Sequence, residues 1–228
     1  MKVTIIGGGN MGGAIARGLA KGTIIKAEDI CVSNPSQGKL DVLKTEFPAM
    51  QVTHSNVEAV QNADIVLLAV KPWFIEPVIK ELPLDAEKQM LISVAAGISF
   101  EQYESWVGEK MPVFRIIPNT AISQLESMTL IASHHASKEQ EQLMLDIFNE
   151  MGLAMLIPEK QMAATTALTS CGIAYAMKYI QASAAGGESL GFTPEQACKI
   201  VEYTVKGAAE LLLATANAPQ IEIDKVTT

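Results

Sequence analysis

Short apolar runs alternate with helix-period patterns through the first two thirds of the chain. The first run, Val3–Ile6, predicts a buried strand, and Ala14, Ile15, Gly18 and Leu19 then recur at the spacing of one helix face. Strands that alternate with helices in this way are typical of an α/β domain with a mostly parallel sheet. We therefore predict that architecture for the N-terminal part of the chain.

The same alternation continues along the chain. Further strands are predicted at Asp29–Ser33, Gln51–Thr53, Ile65–Val70, Met90–Val94, Val113–Ile117, Thr129–Ala132 and Leu153–Leu156. Helices are predicted at Gln37–Glu46, Asn56–Asn62, Ser99–Trp106 and Lys138–Met151, with Ser99 as an N-cap. The run Ile65–Val70 is apolar throughout, which indicates a central strand of a parallel sheet.

From Pro158 onward the pattern is helical only. The segment Met162–Ala185 is rich in Ala, Thr, Ser and Gly, so we expect close helix contacts within a bundle or across a subunit interface. Gly186–Gly187 are expected to stop or kink this helix, and a further helix with proline at its first position is predicted over Thr193–Thr215. The change of pattern predicts two domains, residues 1–157 and residues 158–228.

Glycines at GxGxxG spacing follow the first strand. Gly7, Gly9 and Gly12 lie between the predicted strand and helix, which is the context of a dinucleotide-binding turn. Such a turn needs glycine for a tight bend, for close approach of the backbone to a pyrophosphate, and for packing of helix on strand. Free N–H groups at the helix N-terminus favour the same anion. The motif predicts an N-terminal Rossmann dinucleotide-binding domain, with a merely tight strand-to-helix turn as the alternative.

The end of the second strand bears on which dinucleotide is bound. An acidic residue there would bond the ribose 2′-hydroxyl of NAD, whereas this chain offers Ser33, Asn34 and Ser36, with Lys39 one turn further on. Hydroxyl and amide groups can donate to a 2′-phosphate that a carboxylate would repel. We therefore predict NADP(H) as the preferred cofactor with NAD(H) possible, although each of these residues could equally be a plain turn residue.

Two more strand ends are expected at the ligand crevice, because ligands of open α/β sheets bind outside the carboxyl ends of the strands. Lys71 and Pro72 follow one predicted strand. Lys71 is a candidate phosphate or ribose contact, or else a solvated lysine before a helix that begins with proline. The small residues Ala95–Gly97 follow the next strand and would let a flat ring approach the backbone closely.

Composition and charge narrow the class of protein. The chain of 228 residues has a net charge of −8, which argues against nucleic acid or an anionic membrane as a partner. It contains no run of about 18 apolar residues, and its first strand begins too early to leave room for a signal peptide. Cys31, Cys171 and Cys198 lack metal-ligand spacing and are predicted to be reduced thiols of a cytoplasmic protein. His134 and His135 fall in a polar turn and are predicted to be solvated.

Six motifs follow one another in an order and spacing shared with one enzyme family. They are GGGNMGGAIARGL, AVKP (Ala69–Pro72), SVAAG (Ser93–Gly97), RIIPNT (Arg115–Thr120), TALTSCGIAY (Thr166–Tyr175) and GFTPEQA…TVKGAAELL (Gly191–Leu212). This set resembles the pyrroline-5-carboxylate reductases, and the resemblance covers essentially the whole chain. It implies a Rossmann domain followed by an all-helical dimerisation domain, a homodimer or higher homo-oligomer, and NAD(P)H-dependent reduction of the cyclic imine 1-pyrroline-5-carboxylate to L-proline, the last step of proline biosynthesis.

The resemblance also implies site residues, position by position. The implied cofactor contacts are Gly7, Gly8, Gly9, Asn10, Met11, Gly12, Ser33, Asn34, Ser36, Asn56, Ala69, Val70, Lys71, Pro72, Ala95, Ala96 and Gly97. The implied substrate-side residues are Asn119, Thr120, Glu159, Thr166, Ser170, Cys171, Gly172 and Thr228. Of these, Asn119 and Thr120 are expected near the nicotinamide. No catalytic residue and no metal ligand is assigned.

The chain departs from the family pattern in its helical part. Ser170, Cys171 and Ile173 stand where glycine, serine and proline are usual, and Ala163 stands where aspartate is usual. The family also has a glycine- and threonine-rich loop that holds the substrate carboxylate, followed by a last helix, beyond the point at which this sequence ends. We therefore expect either a chain shortened at its C-terminus or one whose substrate half-site is missing.

Two other functions remain open from the residues alone. A β-hydroxyacid dehydrogenase has the same fold class but needs a lysine with an asparagine one turn on, and Lys178 is followed at that spacing by Ala182. A non-catalytic NADP-binding sensor on the same fold would account for the departures in the helical part. For the reductase, positioning and electrostatics can supply most of the rate, because a protonated imine is already electrophilic.

Overall fold

Eight strands form one sheet in the computed structural model, which describes residues 1–227. They are β1 (Val3–Ile6), β2 (Ile30–Ser33), β3 (Gln51–Thr53), β4 (Ile65–Leu68), β5 (Met90–Ser93), β6 (Val113–Ile117), β7 (Ser127–His134) and β8 (Gly152–Leu156). Their order is β3-β2-β1-β4-β5-β6-β7-β8, with β7 antiparallel to β6 and every other pair of neighbours parallel. The predicted α/β fold class with a mostly parallel sheet is confirmed.

Helices connect the strands and make up the rest of the chain. Those of the sheet-forming part are α1 (Asn10–Lys21), α2 (Gln37–Glu46), α3 (Asn56–Val60), α4 (Pro72–Glu81), α5 (Phe100–Val107) and α6 (Lys138–Asn149). After β8 follow α7 (Met162–Thr165), α8 (Gly172–Ser189), α9 (Pro194–Thr215) and α10 (Pro219–Val226). Short 3₁₀ helices lie at Ala27–Asp29, Thr120–Gln124 and Glu159–Gln161, and a π-helical segment lies at Thr166–Ser170.

Both faces of the sheet are buried, which agrees with strands that are apolar throughout, such as β4. Successive side chains of a strand point to opposite faces. Accordingly, Ile65 and Leu67 of β4 belong to one apolar cluster, together with Ile15 of α1. Val66 and Leu68 belong to a second cluster, which also contains apolar side chains of α4 and α5. The strand ends are therefore held in place from both sides.

Several strand and helix ends differ from the predictions by one or two residues. The strand β4 ends at Leu68 rather than Val70, although the Ala69 N–H still donates to the Ile6 carbonyl at 2.8 Å. The antiparallel strand β7 is longer than predicted, because it pairs with β6 on one side and with β8 on the other. These differences leave the predicted order of elements unchanged.

The chain packs as two compact units, residues 1–170 and the residues from Cys171 onward. The predicted domain boundary between residues 157 and 158 lies just after the end of β8, beyond which the described residues, up to 227, form helices but no strand. That boundary stays a prediction. Among residues 1–227, every helix is too short or too polar to cross a lipid bilayer.

The prediction that a helix stops at Gly186–Gly187 is wrong, and a kink at these glycines stays a prediction. Both glycines lie inside α8, which continues to Ser189. A side chain at Gly187 would approach the Cβ of Ala197 in α9 to 3.1 Å, so glycine here lets two helices pack closely. The predicted segment Met162–Ala185 is also not one regular helix, because the π-helical turn interrupts it. The last helix, α10, was not predicted.

Replacement of Gly18 by alanine tests how tightly α1 packs. Its added Cβ would lie 2.7 Å from the Met151 sulfur and 2.8 Å from the Ile122 carbonyl oxygen. We expect Gly18→Ala to lower the free energy of unfolding by about 1–3 kcal/mol, the usual effect of overpacking. Gly38→Ala is the matched control, because a Cβ at that position in α2 meets no atom within 4 Å.

The control should raise stability by up to about 1 kcal/mol, since it mainly restricts the unfolded chain. Urea unfolding at constant m-value measures both changes. Equal midpoints for the two variants would contradict the tight contact between α1, Met151 and Ile122.

Candidate functional site

A cleft lies at the carboxyl ends of β1 and β4, where the strand order of the sheet reverses. This is the position at which open α/β sheets bind ligands. The cleft has a volume of about 470 Å³, and its lining residues are Gly9, Asn10, Met11, Lys39, Ala69, Val70, Lys71, Pro72, Val94, Ala95 and Ala96. All of these except Lys39 and Val94 belong to the predicted cofactor contacts, so the structure brings most of that set together.

The glycine turn between β1 and α1 forms one wall of the cleft. Gly7 has a φ of +103°, in the left-handed region that favours glycine, and its N–H donates to the Ser33 carbonyl at 2.8 Å. A Cβ on Gly12 would lie 1.9 Å from the carbonyl oxygen of Gly7, and a Cβ on Gly7 would lie 2.6 Å from that of Ala69. Both positions therefore exclude any side chain, because backbone atoms already occupy the space.

Gly9 differs from these two glycines, because a Cβ there would meet no protein atom within 4 Å. It lines the cleft and precedes α1, which begins at Asn10. Among residues 1–227, no side chain caps this helix and no acidic residue lies in its first turn. The open space, the N–H groups and the positive end of the helix dipole together fit an anion such as a pyrophosphate.

Asn34 links the end of β2 to the glycine turn. Its buried side-chain oxygen accepts from the Gly8 N–H at 3.0 Å, and its amide nitrogen donates to the Ser36 carbonyl at 3.2 Å. The ring of His54 lies on the other side, with Nδ1 2.8 Å from the Asn34 carbonyl oxygen and Nε2 2.7 Å from Oε1 of Gln37. Sequence reasoning missed His54. The available signal was that the neighbouring strand β3 ends just before it, at the same sheet edge.

The two predicted serines of this region have different surroundings. Ser33 is only 1% exposed, and its hydroxyl donates to Oδ1 of Asn56 at 2.7 Å. The Asn56 amide in turn donates to Glu81 at 2.7 Å. The side chains of Ser33 and Asn56 are therefore already hydrogen-bonded within the protein. Ser36 is exposed at the N-cap position of α2. Lys39, one turn into α2, lines both the main cleft and a smaller one of about 200 Å³ beside it.

Hydrogen bonds of two buried hydroxyl groups support the loop Ala95–Gly97. Ser93, at the end of β5, accepts from the Ala95 N–H at 3.2 Å and from the Tyr103 hydroxyl at 2.6 Å. Burial raises the pKa of Tyr103, so the phenol stays protonated and acts as the donor at neutral pH. Gly97 follows with a φ of +79°. The shape of this loop is thus set by side chains that sequence reasoning did not assign.

The predicted substrate-side residues of the first unit lie after β6 and β8. Asn119 is buried, and its side chain accepts from the Ala121 N–H at 3.0 Å as the cap of a short helix. Thr120, the next residue, is exposed. Glu159 accepts from the Arg115 guanidinium and from the Phe100 N–H, the latter at 2.8 Å. It therefore lies at the N-terminus of α5, next to the loop that ends at Gly97.

The other predicted substrate-side residues are spread over both units. Thr166 and Ser170 belong to the π-helical segment of the first unit, a geometry often found at functional sites. Cys171 and Gly172 are half-buried and belong to the second unit. The predicted residue Thr228 lies outside the described residues. In the second unit, Lys178 is exposed and donates to Gln181 at 2.8 Å.

Two family models match the chain. The one described as "NADP oxidoreductase coenzyme F420-dependent" matches residues 2–97, and the one described as "Pyrroline-5-carboxylate reductase dimerisation" matches residues 159–228. The first model thus covers the glycine turn and the cleft, and the second covers the helical part.

Full-length relatives extend these matches. Pyrroline-5-carboxylate reductase 1 of Dictyostelium discoideum is 36% identical over 99% of this chain, which spans 43% of that relative's length. Pyrroline-5-carboxylate reductase 2 of the same organism is 35% identical over 99% of this chain and 81% of the relative. The crystal structure of Plasmodium falciparum pyrroline carboxylate reductase with NADP bound has a TM-score of 0.90 at 28% identity, covering 100% of this chain and 84% of that one. The family that the motifs indicated is confirmed, and the chain belongs to the pyrroline-5-carboxylate reductases.

Proposed function

We propose that this chain reduces 1-pyrroline-5-carboxylate to L-proline with NADPH, as an oxidoreductase acting on a CH–NH group. The proposal rests on the cleft at the carboxyl ends of β1 and β4, because its glycine turn leaves space for a pyrophosphate in front of α1. Membership of the reductase family supplies the reaction. The same cleft supports the cofactor, with NADPH preferred and NADH as the alternative.

The chain's own residues bind and orient the cofactor. The first-turn N–H groups of α1 receive the pyrophosphate, and Lys39 and Lys71 place positive charge at the edges of the cleft. Ala95 and Ala96 offer a flat surface without large side chains for the nicotinamide. The Tyr103–Ser93 hydrogen bond keeps that surface in one shape. When bound, NADPH supplies the hydride, with its electron pair, that reduces the carbon of the protonated C=N bond and leaves NADP⁺ and the amine.

Positioning, rather than a strong acid or base, is the main task of the residues near the nicotinamide. Asn119 and Thr120 follow β6 at the same sheet edge as the Ala95–Gly97 loop, since β5 and β6 are parallel. Glu159 accepts hydrogen bonds from Arg115 and from the N-terminus of α5. We therefore assign it a positioning role, in which it stabilises the substrate side of this sheet edge. A protonated imine needs no further proton for hydride transfer, which fits this arrangement.

We also propose a homodimer, or a higher homo-oligomer, built through the second unit. Large apolar side chains on its helices and in the turn between α8 and α9 are exposed, namely Tyr175, Met177, Tyr179, Leu190, Phe192, Ile200, Tyr203, Leu211, Leu213, Ile221, Ile223 and Val226. Exposed apolar surface of this extent marks an interaction site. The description of the matching family model as a dimerisation model supports the same partner. The three free thiols support a reducing compartment, and we place the enzyme in the cytoplasm.

The reaction itself is tested with the complete natural gene product. With NADPH and 1-pyrroline-5-carboxylate, we expect loss of NADPH absorbance together with an equal amount of L-proline identified by mass spectrometry. A 3-hydroxyacid with NADP⁺ serves as the control substrate. NADPH binding without proline formation would favour a sensor, and turnover of the hydroxyacid alone would favour the dehydrogenase.

Replacement of Gly9 by alanine tests the pyrophosphate position. The added methyl group meets no protein atom, so the fold should keep its thermal midpoint. It occupies the space in front of α1, and we expect NADPH to bind at least about tenfold more weakly, measured by fluorescence titration. Gly12→Ala is the contrasting variant, because it should lower stability through the clash with the Gly7 carbonyl oxygen. Unchanged NADPH affinity in Gly9→Ala would contradict the proposed site.

Replacement of Ser36 by aspartate tests the 2′-phosphate assignment. Ser36 is exposed at the N-cap of α2, where aspartate is also favourable, so the variant should fold. The new carboxylate should repel the 2′-phosphate and weaken NADPH binding about tenfold, while NADH binding changes little. Ser36→Asn has the same size without the charge and should keep both affinities. Equal losses for NADPH and NADH in Ser36→Asp would show that Ser36 is not near the 2′-phosphate.

A further inference from the structure

Two histidines converge on one carboxylate at the end of β7. The Nε2 atoms of His134 and His135 each lie 2.7 Å from Oε2 of Glu104 in α5. The three potential ligand atoms all lie within 4.8 Å of one another. The prediction that both histidines are solvated holds for His135, which is exposed, whereas His134 is half-buried, and both rings also contact this carboxylate from a distant part of the chain.

The backbone brings the two imidazoles to the same side. His134 is the last residue of β7, and the next side chain along a strand would normally point to the opposite face. His135 instead adopts a left-handed backbone with a φ of +56°, which turns its ring towards Glu104. The His134 ring stacks on Phe100, with centroids 5.1 Å apart and planes 17° apart, so packing holds it in place.

The donor set is that of a transition-metal site. Two imidazole nitrogens and one carboxylate oxygen are a common protein ligand set for Zn²⁺ and leave a coordination position for water. Tetrahedral ligands at zinc distances lie about 3.4 Å apart, so each 2.7 Å contact has to widen by less than 1 Å to admit an ion. The three side chains are 33–35% exposed, which gives an ion access and leaves room for that movement.

Charge favours the same occupant. With both imidazoles neutral the cluster carries one negative charge, on a chain whose net charge is −8. A divalent cation would take the place of the two imidazole protons that now share one carboxylate oxygen.

We propose that Glu104, His134 and His135 bind one divalent transition-metal ion, with Zn²⁺ as the best-fitting ion. None of the three residues lines the cofactor cleft, so this site is separate from the proposed reductase chemistry. The ion joins α5 to the end of β7. Tyr103, the residue before Glu104 in α5, supports the Ala95–Gly97 loop through Ser93. A bound ion would therefore also stabilise the position of the helix that supports this loop.

The test is metal binding to the chelator-treated protein, measured by equilibrium dialysis with Zn²⁺ and by thermal unfolding. The wild-type protein should bind one equivalent at this site and unfold at a higher temperature with Zn²⁺. His135→Gln and Glu104→Gln should bind at least about tenfold more weakly, since even changes outside the ligand set cost 10–100-fold in metal affinity. His54→Gln is the matched control, because His54 is the only other histidine of the chain and lies beside Asn34.

Two further readouts make the test specific. Co²⁺ in place of Zn²⁺ should give the spectrum of nitrogen and oxygen ligands, without the intense charge-transfer bands that cysteine thiolates would cause. The rise in unfolding temperature with Zn²⁺ should also be absent from His135→Gln and Glu104→Gln. The proposal is overturned if the wild type binds no Zn²⁺ at millimolar concentration, if His135→Gln and Glu104→Gln bind as tightly as His54→Gln, or if thiolate bands appear. None of these three outcomes depends on whether the chain reduces an imine.

Discussion

The close approach of three backbone segments at the end of β1 is the constraint on which the cleft depends. The space that a Cβ on Gly12 would need is filled by the Gly7 carbonyl, and the space beside Gly7 is filled by the carbonyl of Ala69. As a result α1 starts directly against the ends of β1 and β4. The first turn of α1 then faces the point at which the strand order reverses, and its N–H groups are available to an anion.

Polar side chains join neighbouring strand ends around this turn. Asn34 connects β2 to the glycine turn, and the Tyr103–Ser93 pair supports the loop after β5. Arg115 of β6 and the N-terminus of α5 both bind Glu159, which follows β8 along the chain. Each link fixes a loop at the carboxyl edge of the sheet from inside the protein. A reaction that relies on orientation rather than on a strong acid or base needs this kind of rigidity.

The order and type of nearly every element of the first unit could be predicted, because apolar runs and caps are local signals. The helix α2 was predicted at its observed bounds, and Ser99 forms the expected N-cap of α5. Most of the residues predicted from the family motifs to contact the cofactor also line one cleft. What could not be predicted depends on contacts between distant parts of the chain. The burial of Ser33 against Asn56, the position of His54, the meeting of Glu104 with two histidines, and the packing of Gly187 on Ala197 are all of this kind.

We propose that the glycine turn and the cleft beside it hold NADPH at the carboxyl edge of the sheet. A crystal structure of the NADPH complex tests this claim most directly. We expect the pyrophosphate in front of Gly9 and the first turn of α1, the 2′-phosphate close to Ser36 and Lys39, and the nicotinamide against Ala95 and Ala96. A pyrophosphate bound elsewhere, or a nicotinamide ring remote from the Ala95–Gly97 loop, would contradict it.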